Sequence, residues 1–352
     1  MKLKMSLVVV LLLSLSAAAD PSDSTAAWTV FDTGSKASLR GLYAVSEKVV
    51  WASGTAGTVL RTVDGGETWQ KLAVAGAEEL DFRDVQAFDA DRALLLTAGQ
   101  PARIYRTTDG GATFQQVHES AHETAFFDGM AFWDEQRGVA FSDPVDGKFL
   151  ILTTSDGGSS WQRADPAKLP PAHEGEAGFA ASGTNVATGP DGHAWIGTGG
   201  TVARVLVSDD FGATWRAVTS PLAQGEGSTG IFSVAFRDAQ HGVAIGGDYR
   251  KPEDTTGNVA FSEDGGNTWH AVTDAPPTGH RACVTHLGGH SPTSWLAVGR
   301  AGTDLSVDDG ASWSRLGDVG FYACSVANDG SIWTAGSDGR VARLVLENRS
   351  QR

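Results

Sequence analysis

Short runs of alternating apolar and polar residues follow one another along most of the chain, and turn-forming residues separate them. In residues 39–75 four such runs occur, at 39–45, 49–53, 58–62 and 68–72. A period of two is typical of β-strands with one buried face, and the intervening Gly, Ser and Asp residues favour tight turns. This segment therefore predicts one sheet of four antiparallel strands.

An eight-residue pattern marks the turn between the third and fourth strands, and it occurs six times. Its form is Ser/Thr-x-Asp-x-Gly-x-Thr/Ser-Trp/Phe, and its first copy is 62–69. Aspartate accepts backbone hydrogen bonds in tight turns, glycine adopts positive φ without strain, and a large aromatic residue fills the space between sheets. We expect a structural role for all of these side chains: Asp64, Asp109, Asp156, Asp210, Asp264 and Asp308, and Trp69, Phe114, Trp161, Trp215, Trp269 and Trp313.

The aspartates of this pattern lie 44 to 54 residues apart. A regular period of this length indicates a repeat architecture in which each repeat is one structural unit. The first unit is 39–75, and five more four-stranded units are predicted at 80–120, 125–166, 178–220, 231–274 and 281–317.

A seventh unit is divided between the two ends of the chain. Three strands are predicted near the C-terminus, at 321–326, 331–335 and 341–346, and residues 28–32 supply the fourth. Joining both ends in one sheet closes a ring and removes open sheet edges. The prediction is an all-β domain over 28–346, a seven-bladed β-propeller of four-stranded antiparallel blades.

The repeated octapeptide resembles the Asp-box, or bacterial neuraminidase repeat, of sialidases and related propellers. The wider unit, from 82–85 through Gly99 to 109–111, resembles the photosystem II assembly and stability factor family over almost the whole predicted domain. The resemblance implies a binding or assembly module with a basic patch for its protein partner. Because the Asp-box is structural in its families, it implies no particular chemistry.

The N-terminal residues have the order of an export signal. Lys2 and Lys4 precede an apolar run at 7–15, and small residues follow at 17–19. The run is too short for a comfortable membrane span. We expect an exported mature chain, periplasmic or secreted and without a membrane span; an uncleaved anchor is the alternative. The predicted boundaries are 1–19 for the signal peptide, 20–27 for a short segment, 28–346 for the propeller and 347–352 for a tail.

Charge and cysteine content narrow the classes of partner. The formal net charge is −15, which argues against nucleic acid because phosphate binding needs a basic face. Cys283 and Cys324 occupy equivalent positions in the first strands of adjacent blades. They could form a disulfide if their Cα atoms lie close enough, or remain two buried thiols. No cofactor-binding motif is present.

A zinc-protease string, H-E-x-x-H, occurs at 118–122. That chemistry needs a helix, which places both histidines on one face. The string follows a predicted strand, so we expect a chance match and no metal. A looser site of His118, His122 and Glu123 is the remaining alternative.

The loops opposite the Asp-boxes are longest in blades three to five, and long loops often carry function. In blade three the insertion is 142–148, and in blade five it is 247–254. The two crossovers beside them are also long. We expect these loops to surround a polar, mainly acidic pocket, with ordinary solvated loops as the alternative. The candidate binding residues are Asp143, Glu176, Arg204, Glu226, Asp248, Tyr249 and Lys251.

A second set of candidates lies at one level of the central channel when the first strands are aligned. Three arginines from three blades could bind a carboxylate or phosphate, as the resemblance to sialidases implies. Ion pairing of these arginines with neighbouring aspartates is the alternative. The residues at this level are Arg40, Arg83, Asp128, Phe232, Arg281 and Tyr322.

Two functions fit these candidates. The first is a monomeric binding or assembly module for a protein partner or a small or glycan ligand. The alternative is a glycosidase that uses Asp128, Asp143, Glu176 and Asp248, with Arg204 and Arg281 holding the substrate. A glycosidase requires two carboxyl groups about 5 to 10 Å apart across a pocket, one with a raised pKa.

Overall fold

The computed structural model describes residues 24–348. The predicted signal peptide, 1–19, lies outside the described residues, as do residues 349–352 of the predicted tail. Within 24–348 no helix has the length and apolar character needed to cross a membrane. Two single-turn 3-10 helices, Pro166–Lys168 and Pro190–Gly192, lie between the strands.

Within residues 24–348, thirty strands form seven sheets, which confirms the all-β, seven-bladed propeller. The closing strand and blades 1 to 3 contain β1 (Ser24–Phe31), β2 (Leu39–Ala44), β3 (Val50–Gly54), β4 (Val59–Thr62), β5 (Gln70–Leu72), β6 (Asp81–Ala87), β7 (Ala93–Ala98), β8 (Arg103–Thr107), β9 (Gln115–Glu119), β10 (Phe127–Phe132), β11 (Gly138–Val145), β12 (Lys148–Thr154) and β13 (Gln162–Arg163). Blades 4 to 7 contain β14 (Glu176–Ala177), β15 (Val186–Thr188), β16 (Ala194–Gly197), β17 (Gly199–Gly200), β18 (Arg204–Ser208), β19 (Arg216–Thr219), β20 (Thr229–Phe236), β21 (Gly242–Asp248), β22 (Val259–Ser262), β23 (His270–Ala271), β24 (Cys283–His286), β25 (Trp295–Gly299), β26 (Gly302–Ser306), β27 (Ser314–Gly317), β28 (Ala323–Val326), β29 (Ile332–Ala335) and β30 (Val341–Asn348).

Each blade is an antiparallel sheet whose first strand faces the central axis. In blade 1 the order is β2-β3-β4-β5, and the other blades repeat it. The first strands contact one another around the ring, as β2 does with β6 and β28. Blade 5 has two additional short strands, β14 and β17, on its inner side.

The ring closes as predicted, with a longer strand than the sequence pattern indicated. β1 pairs antiparallel with β30 from Ser24↔Asn348 to Phe31↔Val341. It begins four residues before the predicted start at 28, so half of the segment 20–27 belongs to the propeller. The first residues of β1, Ser-Thr-Ala-Ala, lack the apolar alternation that marks the other strands.

The Asp-box turn is held by its own side chains. In the first copy Thr68 donates its N–H to Asp64 Oδ1 (2.9 Å) and its hydroxyl to Oδ2 (2.6 Å). The Thr62 hydroxyl donates to Asp64 Oδ1 at 2.8 Å and accepts the Gly66 N–H at 2.9 Å. These hydrogen bonds lower the pKa of Asp64 to about 2. The other five copies repeat the pattern, with their aspartates at Asp109, Asp156, Asp210, Asp264 and Asp308.

The boxes also define one face of the ring and join neighbouring blades. Gly65 donates its N–H to the Lys48 carbonyl, so the box turn lies beside the turn between the first two strands. The box aromatic residues pack between blades: Trp161 of blade 3 contacts the cluster that contains Leu94 of blade 2. Gly158 has a φ of 76°, and a Cβ there would lie 2.3 Å from Leu94 Cδ2. The sequence prediction of a structural role is therefore supported by the geometry.

Residues 178–185 form a plug across the central channel, whereas the sequence predicted that a strand of blade 4 begins at 178. Ser182 donates its hydroxyl to the Ala282 carbonyl of blade 6 (2.9 Å), and the Thr184 carbonyl accepts the Val234 N–H of blade 5. Gly183 packs against Asp84 of blade 2. Residues 180–184 have small side chains that fit the narrow axis, and blade 4 begins only at β15.

Candidate functional site

A cavity of about 330 Å³ opens on the face opposite the Asp-boxes, and the plug forms its floor. We call it the central pocket. It combines cationic and aromatic side chains from blades 1, 2, 5, 6 and 7. Its lining residues are Arg40, Arg83, Phe126, Gly178, Phe179, Ala180, Ala181, Phe232, Tyr249, His280, Ala282, Arg300 and Tyr322.

Three arginines line the pocket, and the plug holds two of them, Arg40 and Arg83, in place. Arg40 donates from Nη1 to the Ala181 carbonyl at 3.3 Å, and its guanidinium carbon lies 4.3 Å from the centre of the Tyr322 ring. Arg83 donates from Nη1 to the Ala180 carbonyl at 3.0 Å. Burial and the nearby Arg83 lower the pKa of Arg40. Positive charge is thus concentrated at the plug.

The arginines that line the pocket have few ion-pair partners. Arg83 Nε lies 2.7 Å from Asp81 Oδ2, and this is an ion pair at the edge of the pocket. Arg300 follows β25 and is exposed. Within residues 24–348 the structure gives the Arg300 guanidinium no hydrogen bond and no ion pair, and Arg300 is one of the residues that line the pocket.

Aromatic rings form the opposite wall. Phe179 and Phe232 stack with their centres 3.9 Å apart and their planes 12° apart. Tyr249, which is 41% exposed, meets Phe232 edge-on at 6.1 Å. The His280 ring stands perpendicular to Phe232 at 4.4 Å. Burial, followed by the charge of Arg281, lowers the pKa of His280 to about 4, so this ring is neutral at neutral pH.

Close backbone approach makes room for this wall. β17 pairs with β20 through Gly199 and Gly230. A Cβ on Gly199 would lie 2.4 Å from a ring carbon of Phe179 and 2.6 Å from the Gly230 Cα. Only glycine fits here, and the Phe179 ring occupies the space that a side chain would take.

β-Bulges distinguish the first strands of four blades from those of the others. In blades 1, 2, 3 and 5 the pairing of the first strand skips one residue, and a bulge turns the skipped side chain out of the sheet register. Blades 6 and 7 have no such shift. The skipped residues are Arg40, Arg83, Asp128 and Phe232.

The sequence alignment misplaces Arg281. Its side chain is fully buried, and its Nε donates to Asp304 Oδ2 at 2.6 Å. Its Nη2 donates to the Thr278 hydroxyl. Arg281 stabilises the blade interior and does not line the pocket.

Asp128 and Asp143 lie together behind the pocket wall. Asp143 Oδ1 accepts the Gly178 N–H at 2.7 Å, and a Cβ on Gly178 would lie 2.4 Å from Asp128 Oδ2. Burial raises the pKa of Asp143 to about 6. Burial and the charge of Asp143 raise the pKa of Asp128 well above its ordinary value. Neither carboxyl lines the pocket, so the pair does not face a substrate position.

The acidic pocket that the loops predicted is not formed. Glu176 is buried and accepts from Arg204 Nε at 2.8 Å and from Nη2 at 2.6 Å, in a two-point ion pair. Asp248 is buried beside Lys251, whose Nζ lies 3.5 Å away. Among the described residues, those lining the pocket include no aspartate or glutamate. Buried carboxylates need cationic or hydrogen-bonding partners, and here those partners remove them from the surface.

Two further predictions concern the loops on this face, the insertion at 142–148 and the candidates Glu226 and Lys251. Residues 142–148 are not an irregular insertion, because β11 and β12 extend through them to a two-residue turn at Asp146 and Gly147. Glu226 and Lys251 are exposed, outside the pocket lining. Of the candidate residues named from the sequence, the structure brings Arg40, Arg83, Phe232, Tyr249 and Tyr322 together in the pocket.

Among the cationic and aromatic lining residues, sequence reasoning missed four: Phe126, Phe179, His280 and Arg300. Arg300 follows Gly299 in the turn between the second and third strands of blade 6, on the face where a site was expected, so its position carried a usable signal. No sequence signal pointed to Phe179, because its segment has the pattern of an ordinary first strand and does not indicate a plug.

The zinc-protease string lies at the end of a strand, as predicted. β9 ends at Glu119, and His118 is half-buried with its pKa lowered by burial. His122 Nε2 lies 3.2 Å from Arg163 Nη1. No group of three or more metal-ligating side chains occurs among residues 24–348.

Known proteins share both the repeat and the ring. A sequence profile of the Photosynthesis system II assembly factor YCF48 family matches residues 20–122. The chain resembles the YCF48 family. YCF48 bound to D1 peptide is 17% identical, with a TM-score of 0.64, over 91% of this chain and 97% of that chain. YCF48 from Cyanidioschyzon merolae is 19% identical, with a TM-score of 0.63, over 90% of this chain and 98% of that chain.

Enzymes with the same fold also match. Streptogramin B lyase is 13% identical, with a TM-score of 0.63, over 92% of this chain and 98% of that chain. The GH74 xyloglucanase from Xanthomonas campestris is 15% identical, with a TM-score of 0.54, over 89% of this chain and 60% of that chain. At identities this low, the structural matches show the fold alone. None of the curated proteins matches the chain.

Proposed function

We propose that this protein is an exported binding or assembly module whose central pocket holds an extended, acidic segment of a protein partner. The observation that carries the proposal is the convergence of Arg40, Arg83 and Arg300 beside an aromatic wall, in a cavity without a lining carboxylate among the described residues. The YCF48 resemblance supports it, because one YCF48 structure holds a peptide.

The chemistry of the pocket favours an anion. Guanidinium groups bind carboxylates through two parallel hydrogen bonds, and such charge-assisted bonds strengthen where water is excluded. The Arg300 donors are unoccupied, and Arg40 and Arg83 are oriented by the plug carbonyls. The whole chain is acidic, with a net charge of −15, so this basic pocket is a local reversal of charge.

The size and shape of the pocket favour part of a flexible chain. A cavity of about 330 Å³ is at the small end of ligand pockets, and it accommodates a few side chains rather than a folded surface. The stacked rings of Phe179 and Phe232 offer an apolar face to a neighbouring side chain. An acidic residue next to an aromatic or aliphatic residue is the ligand that fits best.

The glycosidase hypothesis receives no support from the pocket. Glycoside hydrolysis needs two carboxyl groups facing each other across the bond that breaks. Asp128 and Asp143 have raised pKa values but share one wall, behind Gly178. Glu176 is neutralised by Arg204. A binding role uses the residues that do face the cavity.

The proposal is tested by measuring peptide binding by fluorescence anisotropy. A fluorescent library of short peptides containing Glu and Phe is compared with a matched library in which every Glu is replaced by Gln. We expect only the acidic library to bind. Arg83→Ala and Arg300→Ala should each weaken binding about tenfold or more, since a hydrogen bond to a charged group contributes about 1.5–3 kcal/mol.

Arg216→Ala is the control, because Arg216 is an exposed arginine on the outer strand β19, away from the pocket. Equal binding of the acidic and amide libraries, or equal losses in all three variants, would contradict the proposal. Binding of uncharged oligosaccharides in place of the peptides would favour a glycan ligand.

A further inference from the structure

Two cysteines face each other where blades 6 and 7 meet. Cys283 lies at the start of β24 and Cys324 is the second residue of β28, and both are buried. Their Sγ atoms are 3.2 Å apart, and both side chains are free thiols in this structure. A disulfide bond would require the sulfurs to approach by a little over 1 Å. The two inner strands are thus close enough for the pair to react.

The two thiols have different surroundings. Cys283 Sγ accepts hydrogen bonds from the Cys324 N–H at 3.3 Å and from the Thr184 hydroxyl at 3.4 Å. Burial disfavours its thiolate, but these donors and the Cys324 thiol outweigh burial and lower the pKa of Cys283 to about 7. Burial raises the pKa of Cys324 well above its ordinary value. Cys283 is therefore the better nucleophile of the pair.

A cavity lies next to this pair; Cys324 lines it, and Cys283 lies one contact behind the lining residues. This second cavity, of about 330 Å³, lies on the Asp-box side of the plug, and Thr184 and Cys324 are among its lining residues. Thr184 and Cys324 are also the residues that contact Cys283 Sγ. A reagent of about the size of water can enter this cavity, whereas a folded oxidoreductase cannot.

We propose that Cys283 and Cys324 are a redox pair in which Cys283 reacts first with a hydroperoxide and Cys324 then closes a disulfide between blades 6 and 7. The Cys283 thiolate attacks the peroxide; an S–O bond forms, the O–O bond breaks, and hydroxide leaves. Cys324 then attacks the sulfenic sulfur, an S–S bond forms, and the hydroxyl leaves as water with the Cys324 proton. In sum, two thiols are oxidised and one hydrogen peroxide is reduced to two waters.

The proposed disulfide bond between Cys283 and Cys324 would stabilise the closed ring. Cys283 and Cys324 are 41 residues apart in the chain, and they join the inner strand of blade 6 to that of the blade that contains both chain ends. A cross-link of this span restricts the unfolded chain more than the folded one. The oxidised protein should therefore resist opening of the ring.

The test treats the full-length protein with hydrogen peroxide and counts thiols by alkylation under denaturing conditions, with mass spectrometry. We expect both thiols to disappear together, with a mass loss of two hydrogen atoms that a reductant restores. The melting temperature should rise by up to about 5 °C, from the entropy of a loop of this length.

Single variants identify the residue that reacts first. In Cys324→Ser, dimedone should label Cys283 as a trapped sulfenic acid, whereas Cys324 in Cys283→Ser should stay unmodified. Cys324→Ala repeats the trapping experiment if the serine variant does not fold. Persistence of both alkylatable thiols in the wild type after peroxide, or dimedone labelling of Cys324 instead of Cys283, would overturn the proposal.

Discussion

Individual side chains hold the Asp-box turns, and two copies show that contacts can replace glycine. Four copies have glycine after the aspartate, but Phe211 and Asp309 occupy this position with φ of 58° and 60°. That conformation costs an ordinary residue about 1 kcal/mol. Phe211 stacks with the Arg137 guanidinium at 4.0 Å, and Asp309 accepts from Arg237 Nε at 2.8 Å. These contacts offset the strain and connect neighbouring blades.

Asp128 makes stability depend on pH. Burial raises its folded-state pKa above the ordinary value near 3.8, so between the two values the folded protein keeps a proton that the unfolded chain releases. Stability therefore falls as pH rises through this window. We expect the stability of Asp128→Asn to rise relative to that of the wild type as the pH increases above the ordinary aspartate pKa, by up to about 1.4 kcal/mol per pH unit within this window.

Urea unfolding followed by circular dichroism at several pH values measures this difference. Asp146→Asn is the matched control, because Asp146 is exposed at the turn between β11 and β12, and asparagine tolerates its positive φ. A constant difference between the Asp128→Asn variant and the wild type at all pH values would show that the Asp128 carboxyl is not the titrating group.

Single-residue irregularities in the strands shape the pocket. The bulges in the first strands of blades 1, 2 and 5 direct Arg40, Arg83 and Phe232 toward the axis. The second strands have a different role, because their large side chains pack between neighbouring blades. In blades 1, 4, 6 and 7 each carries a fully buried tryptophan: Trp51, Trp195, Trp295 and Trp333.

Replacing a second-strand tryptophan should weaken the contact between two blades. Trp295 of β25 is 0% exposed and packs with Val243 and Val284. We expect Trp295→Ala to reduce the free energy of unfolding by about 3–5 kcal/mol, because it leaves a cavity in a packed core. Val307→Ala, at a residue that is 37% exposed, should change it by less than about 0.5 kcal/mol. Similar reductions in the free energy of unfolding of both variants would show that the reduction does not come from the lost contact between blades.

The whole molecule is a ring in which every blade depends on its neighbours. β1 supplies the outer strand of the blade that β28 to β30 begin, so both ends of the chain are needed for closure. The plug then divides the central channel into the central pocket and the cavity beside the cysteines. The ring provides rigidity, and the plug determines which side chains can meet a ligand.

Removing β1 should open the ring. A chain that begins at Thr33 leaves the edge of β30 unpaired, and unpaired edges promote association. We expect a lower melting temperature and aggregation on heating, relative to a chain that begins at Asp20 and keeps β1. Thermal unfolding with light scattering measures both effects. Identical curves for the two chains would mean that the pairing of β1 with β30 contributes little to stability.

Several features could be predicted from local pattern alone. Alternating strands, the Asp-box period and the divided seventh blade indicated the propeller, because each is a local property of the sequence. Arg40 and Arg83 were also placed correctly, since equivalent strands put equivalent residues at one level. The predicted first strand began too late, at residue 28 instead of Ser24, because residues 24–27 lack the alternation of apolar and polar residues.

The site itself depended on contacts between blades. Arg281 pairs with Asp304, and Glu176 with Arg204, because side chains from distant positions meet inside the ring and neutralise each other. Residues 178–185 form a plug because the small side chains of residues 180–184 fit the axis, where they contact several blades. The sequence by itself determined the blades and indicated the face on which the central pocket lies. Only the tertiary structure decided which charges stay exposed there, because burial and pairing are properties of the assembled ring.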